Sequence, residues 1–223
     1  MRLITYSLWG QTPKYNIGAI KNCDLAAIFY PNWISRFYIA KDVPRETREA
    51  LRSKKNVELV ETDEPGDWKF ASKRFLPFSE ADTEAFISRD CDSRISNREV
   101  SAVNAWLNSE KKFHIMRDHP YHGNFPILAG MFGAKNGIIK NINEKINEYT
   151  SRNPKEFYHF DQLFLLNYIW PLIKDDSIIH DEIFIKTPFP SLRIDNEFVG
   201  ESFDENDIPD PIGKKAIMDF FKK

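Results

Sequence analysis

Two aspartates one residue apart, Asp90 and Asp92 with Cys91 between them, follow directly on the apolar run Ala85-Phe86-Ile87-Ser88-Arg89. Alternate residues of an extended chain share a face, so both carboxylates can point to one side. Hard divalent cations take oxygen ligands, and Mg²⁺ in particular is held by one or two carboxylates with substrate phosphates completing its shell. The spacing alone says little, because a turn or cap built from two solvated aspartates looks the same. Position adds weight: open α/β sheets bind ligands beyond the carboxyl ends of their strands. A second polar concentration is the loop Arg117-Asp118-His119-Pro120-Tyr121-His122-Gly123, in which Asp118 and His119 are candidates for proton transfer. His119 and His122 also have zinc-like spacing, but no cysteine or third histidine lies nearby in sequence to complete a site.

The elements that must position these groups alternate between strand and helix, an α/β signature. Leu3–Leu8 reads as a strand, Ala19–Tyr30 as a helix stopped by Pro31, and Arg36–Ala40 as a strand. A polar helix starts at Pro44, and a strand, Val57–Val60, follows it. Trp68–Phe78 has the spacing of a packed helix and leads into the strand before the aspartate pair. Asn97 is placed to cap a helix through Trp106 and Leu107, followed by a strand at Phe113–Met116. Ile127–Lys135 reads as a strand in which Gly130 and Gly133 mark a bulge or the close approach of a ligand or backbone. A helix is expected from Ile138 to about Tyr149, and another over Asp161–Ile169 ending near Pro171. The last strand is Ile178-Ile179-His180-Asp181. After Lys186, prolines and acidic residues predict an irregular arm with a short terminal helix after Gly213. The expectation is one domain over residues 1–186, with 187–223 as an arm packed on it.

A chain of 223 residues that is 42% hydrophobic can bury one sizeable core, which favours a single domain. Lys and Arg number 31 against 33 Asp and Glu, a net charge of -2, so no global field favours nucleic acid as a partner. Two cysteines in unlike contexts suggest neither a disulfide framework nor a zinc site. The N-terminal run reads as a first strand instead of a signal peptide, and no stretch has the length of a membrane span. A soluble, cytoplasmic protein is expected.

Arg74-Phe75-Leu76-Pro77, the block from Phe86 to Arg94, and Glu99 with Trp106 resemble the central block of GT-A glycosyltransferases. The opening Tyr6-Ser7-Leu8-Trp9-Gly10, the Arg117-Asp118-His119-Pro120-Tyr121 loop and Ala129-Gly130-Met131-Phe132-Gly133 extend the resemblance to the compact DxD transferases of large DNA viruses and bacteria. It reaches from the first strand to His180-Asp181 and implies a Rossmann-type mixed sheet flanked by helices. It implies too that Asp90 and Asp92 hold Mn²⁺ or Mg²⁺ against the diphosphate of a nucleotide sugar, UDP being the default, with His180 brought to the metal or diphosphate. By the same resemblance Arg74 faces the diphosphate or base, and Tyr6, Ser7, Leu8 and Trp9 form the base pocket with Tyr15 as a lid. Asp161 matches an acceptor-side carboxylate and is the expected base toward a glycan or other hydroxyl acceptor, although aspartate is equally a favoured helix cap. Competing readings are a nucleotidyltransferase, which lacks its Gly-rich phosphate loop here because Gly10 and Lys14 are too sparse, a phosphatase-like hydrolase, and a non-catalytic sugar-binding module.

Overall fold

The computed structural model describes residues 1–135, 139–155, 157–184 and 187–222. The helix start expected at Ile138 and the arm boundary at Lys186 lie outside the described residues. The first strand, β1 (Arg2–Leu8), leads into helix α1 (Pro13–Phe29), whose start is earlier than expected because Pro13 suits a first turn. Strand β2 (Ile34–Ile39), helix α2 (Arg45–Arg52) and strand β3 (Val57–Glu61) follow. Residues Phe70–Ser79 form tight 3₁₀ turns in place of the expected α-helix; Pro77 lies inside them and cannot donate to an α-helical ladder. Next come β4 (Ala85–Ser88), α3 (Asn97–Leu107) and β5 (Phe113–Arg117). The α3 cap is Ser96, one residue before the expected Asn97, and its side chain accepts from the Glu99 amide.

Of the expected strand at Ile127–Lys135, only β6 (Phe132–Lys135) forms. Helix α4 (Ile142–Arg152) leads to α5 (Phe160–Phe164), and a π-turn over Leu165–Ile169 carries the chain into α6 (Trp170–Ile173). Pro171 therefore does not end the helical run: it falls in the first turn of α6, where its missing N–H costs little. Strand β7 (Ser177–Asp181) and a terminal helix, α7 (Pro211–Phe221), complete the described elements.

Seven strands join in the order β3-β2-β1-β4-β6-β5-β7. All neighbours are parallel except where β6 runs antiparallel to β4 and to β5. All four residues of β4 are buried, as the middle of a sheet covered on both faces requires. One face packs Phe75, Phe78, Phe86, Phe132, Phe160 and Phe164. The other packs Tyr6, Cys23, Ala26, Phe37 and Trp106 with α1 and α3. After β1 the chain moves outward to β2 and β3, and it returns to place β4 on the other side of β1. The carboxyl ends of β1 and β4 are therefore a switch point, the place where open α/β sheets take ligands in a crevice. No helix among the described residues is long and apolar enough to cross a membrane.

Candidate functional site

The loop after β4 carries Asp90-Cys91-Asp92 to that crevice. Its entrance is held from below by Arg89, 2% exposed, whose guanidinium lies 2.8 Å from Glu99 Oε1 and donates to the Ser88 and Phe132 carbonyls. Helix α1 holds the loop from the side. A Cβ on Gly18 would meet the Cys91 carbonyl oxygen at 2.2 Å, so only glycine lets the helix come this close, and Asn22 Nδ2 donates to the Cys91 and Ser93 carbonyls. Cys91 points into the core with Cys23 and Ile95. Burial, followed by the charges of Asp92 and Asp90, pushes its thiol pKa well up, so it stays protonated and is no thiolate ligand. Both cysteines are free and buried.

With Cys91 inward, the Asp90 and Asp92 carboxylates are 49% and 16% exposed. Asp90 accepts from Arg74 Nη1 at 2.5 Å on Oδ1, and Asp92 lies 2.8 Å from Lys14 Nζ and accepts from Ser202 Oγ at 3.0 Å, both on Oδ2. These bonds leave Asp90 Oδ2 and Asp92 Oδ1 to a ligand. Gly130, just before β6, makes room for Asp90: a Cβ there would lie 2.0 Å from Oδ2. Arg74 is fixed by Asp90, by Asp161 Oδ2 at 2.6 Å and by the Arg89 carbonyl at 3.1 Å. Burial works against its charge, but the two carboxylates outweigh it and the net shift is upward. The Ser7 hydroxyl accepts from the Arg74 amide and donates to the Ala71 carbonyl, tying the 3₁₀ turns to β1.

The first strand supplies fewer crevice groups than expected. Period-two alternation sends Tyr6 and Leu8 into the core, 0% and 1% exposed, where Tyr6 stacks on Phe37 at 4.6 Å. Ser7 and Trp9 take the other face, and Trp9 forms edge contacts with Trp68 and Phe70. Tyr15 is 38% exposed, and partial burial followed by the charge of Asp92 raises its pKa.

Four further candidates, Asp161, His180, Asp118 and His119, are held in contacts within the fold. Asp161 is not the helix cap; His159, at φ 69°, holds that position. The Asp161 carboxylate is engaged at both oxygens, by Arg74 Nη2 and by the Gln162 amide. His180 does not join the aspartates: its Nδ1 is 2.9 Å from His114 Nε2 inside the sheet, its ring packs on Phe189, and burial pushes its pKa down to about 4. Among the described residues no group of three His, Cys, Asp or Glu side chains is placed to hold a metal. Asp118, 0% exposed, is consumed by structure, accepting from Arg98 Nε and Nη2, Arg193 Nη2 and the Val199 amide. His119 caps the turn at Pro120–Asn124 through Nδ1 and meets the Gly213 carbonyl through Nε2. These two residues fasten the C-terminal arm.

Sequence reasoning missed three residues. Lys14 is discounted there as part of a sparse phosphate loop, and Ser202 lies in the arm that resembles nothing. Gln162 holds the segment before β6, accepting from the Ala129 amide and donating to the Ile127 carbonyl. The one local signal was for Lys14, a cation in the first turn of the helix after β1.

An open sheet with this strand order, one antiparallel strand beside the central parallel ones and an acidic pair at the switch between β1 and β4, defines a GT-A-like α/β fold. No family model matches the chain, and no curated protein matches it in sequence. In structure it is similar to the galactosyltransferase LgtC solved with donor and acceptor sugar analogs, at a TM-score of 0.50 and 14% identity over 82% of this chain and 74% of that one. A glycosyltransferase involved in glycosylation of the major capsid of PBCV-1 has a TM-score of 0.47 at 14% identity, covering 84% of this chain and 90% of that one. A putative glucose-1-phosphate thymidylyltransferase from Bacillus anthracis has a TM-score of 0.49 at 9% identity, covering 81% and 85%. The likeness to LgtC shows a shared fold.

Proposed function

We propose that this protein is a glycosyltransferase that uses a nucleotide diphosphate sugar, UDP-linked by default, and transfers the sugar to a hydroxyl acceptor. The observation that carries the reading is the place of Asp90 and Asp92 in the loop after β4, at the sheet's switch point, with Cys91 locked inward by α1. The residues fit a hard divalent cation. Each carboxylate keeps one oxygen outside the protein's own hydrogen bonds, the donor set is oxygen only, and a diphosphate would complete it. Asp90 and Asp92 would hold Mn²⁺ or Mg²⁺, and a bound metal would neutralise charge on the departing nucleoside diphosphate.

The remaining work falls to the chain itself. Arg74, nearly buried and clamped between Asp90 and Asp161, offers a preorganised guanidinium to the diphosphate or sugar. Asp161 fixes that guanidinium, and Ser7 fixes the backbone beneath it. Trp9, just after β1, and Tyr15, in the first turn of α1, would flank the base. In this reading Asp118 and His119 hold the arm and do not touch reactants.

The test is binding of UDP and GDP with and without Mn²⁺, by calorimetry and by thermal stabilisation, in the wild type and in Asp92→Ala. Metal-dependent binding in the wild type that is lost in the folded variant is expected. Unchanged Mn²⁺-dependent binding in Asp92→Ala would sink the metal assignment. Mn²⁺-dependent hydrolysis across a panel of nucleotide sugars then reports the donor. Release of pyrophosphate from a nucleoside triphosphate and a sugar phosphate would mark the nucleotidyltransferase instead.

A further inference from the structure

Lys14 stands in the first turn of α1, with its ammonium 2.8 Å from Asp92 Oδ2 and 2.9 Å from Ser202 Oγ. Ser202 Oγ is itself 3.0 Å from the same Asp92 oxygen, so the turn after β1, the loop after β4 and the C-terminal arm close a triangle of contacts. The arm is pinned there independently. Phe203 donates its amide to the Asp92 carbonyl, and Lys21 and Arg94 pair with Asp207 at 2.6 and 2.9 Å. The ammonium and the Asp92 carboxylate thus form an ion pair, with Ser202 Oγ bonded to both. A divalent cation entering at Asp92 would therefore meet a positive charge already seated on its ligand.

We propose that Lys14 is the resident counter-cation of Asp92, which an incoming metal displaces, and that the displaced ammonium becomes a ligand of the diphosphate arriving with the metal. This rests on the metal–diphosphate reading of the site. The Lys14 side chain is 34% exposed on a flexible four-carbon stem, so it is free to swing. It would swing at the N-terminus of α1, where the first turn holds no acidic residue and Thr12 makes no side-chain cap. That end of a helix favours anions. Metal and diphosphate then assist each other beyond their direct contact. The diphosphate gives Lys14 a new partner and frees Asp92, and the metal releases Lys14 to the diphosphate. Ser202 keeps Asp92 oriented while the cations exchange.

The test measures two half-reactions separately in the full chain: Mn²⁺ alone, by the electron paramagnetic resonance of free Mn²⁺, and UDP or GDP alone in EDTA, by calorimetry. Lys14→Met should bind Mn²⁺ alone about fivefold more tightly, the scale of removing one partly exposed ion pair. It should bind the nucleotide alone several-fold more weakly. Lys14→Arg, which keeps the charge, should bind Mn²⁺ alone as the wild type does. The opposite signs matter, because a merely loosened fold would weaken both. Lys14→Met with unchanged or weaker Mn²⁺ affinity, or with undiminished nucleotide affinity, overturns the inference while the metal–diphosphate reading stands. A wild type that binds no nucleoside diphosphate with Mn²⁺ overturns that broader reading and this inference with it.

Discussion

Gly130→Ala separates the stability of the protein from the integrity of its site. A Cβ at this position would lie 2.0 Å from Asp90 Oδ2 and 2.5 Å from Asp90 Cγ, where real contacts need at least 3.0 Å, so the carboxylate must retreat by about 1 Å. Retreat is feasible because the Asp90 side chain is 49% exposed, but it breaks the 2.5 Å contact to Arg74 Nη1. Arg74 keeps Asp161 at 2.6 Å and the Arg89 carbonyl at 3.1 Å, so no buried charge is left unpaired. A charge-assisted bond to a half-hydrated carboxylate then costs about 1 kcal/mol, a fall of roughly 2–4 °C in Tm for a domain of this size. The site should suffer more, because a misplacement of about 1 Å can cost ~100-fold where geometry is preorganised. Calorimetry with Mn²⁺ and UDP or GDP should show affinity reduced at least about tenfold while the melting curve shifts only slightly. Gly133→Ala supplies the contrast. Its Cβ would crowd Ile87 Cγ2, the Phe86 carbonyl and Trp106 Cη2 at 3.0 Å, which should cost about 1–3 kcal/mol of stability and leave binding intact. Wild-type binding by Gly130→Ala would refute the placement of Asp90 as a ligand.

Two further perturbations probe the groups that hold the site's surroundings. Burial, with a smaller contribution from Arg98, brings the His180 pKa down to about 4, and burial pushes His114 well down too, whereas an unfolded histidine titrates near 6.5. The unfolded chain takes the protons first, so stability is complete above about pH 6.5 and drains as pH falls toward 4. His180 alone accounts for about 3 kcal/mol over that window. Urea unfolding across pH 7.5–4.5 should show the loss and His180→Gln should flatten it; a flat wild-type profile would contradict the buried neutral pair. Asp118→Ala strands Arg98, 0% exposed, with Glu182 as its remaining carboxylate partner among the described residues, and should cost about 3–5 kcal/mol. Limited proteolysis should then cut the arm first, and a loss under about 1 kcal/mol would show that the Asp118 network does not anchor it.

How much could be read before folding depended on the range of the physics involved. The buried run Ala85–Ser88 and the α/β alternation rest on periodicity and on neighbours one or two residues away, and these are visible in a string of letters. So is the expectation of ligand chemistry beyond a strand's carboxyl end. Even there, local rules misjudged Tyr6 and Leu8, because alternation says that half of a strand faces inward but only the sheet's neighbours say which half. Residue type marked Asp118, His119, Asp161 and His180 as reactive, yet reactivity depends on whether a group's lone pairs and protons are already taken. Those partners come from far along the chain: Asp161 meets Arg74 across 87 positions, His180 meets His114 across 66, and His119 meets Gly213 across 94. The aspartate pair shows the same division within one motif. Sequence marked Asp90 and Asp92 as a pair beyond a buried strand, but the strand ends at Ser88 and the motif lies in a turn, so alternation does not orient it; only the tertiary structure decided that Gly130 would clear space for one while Lys14 and Ser202, from opposite ends of the chain, would hold the other.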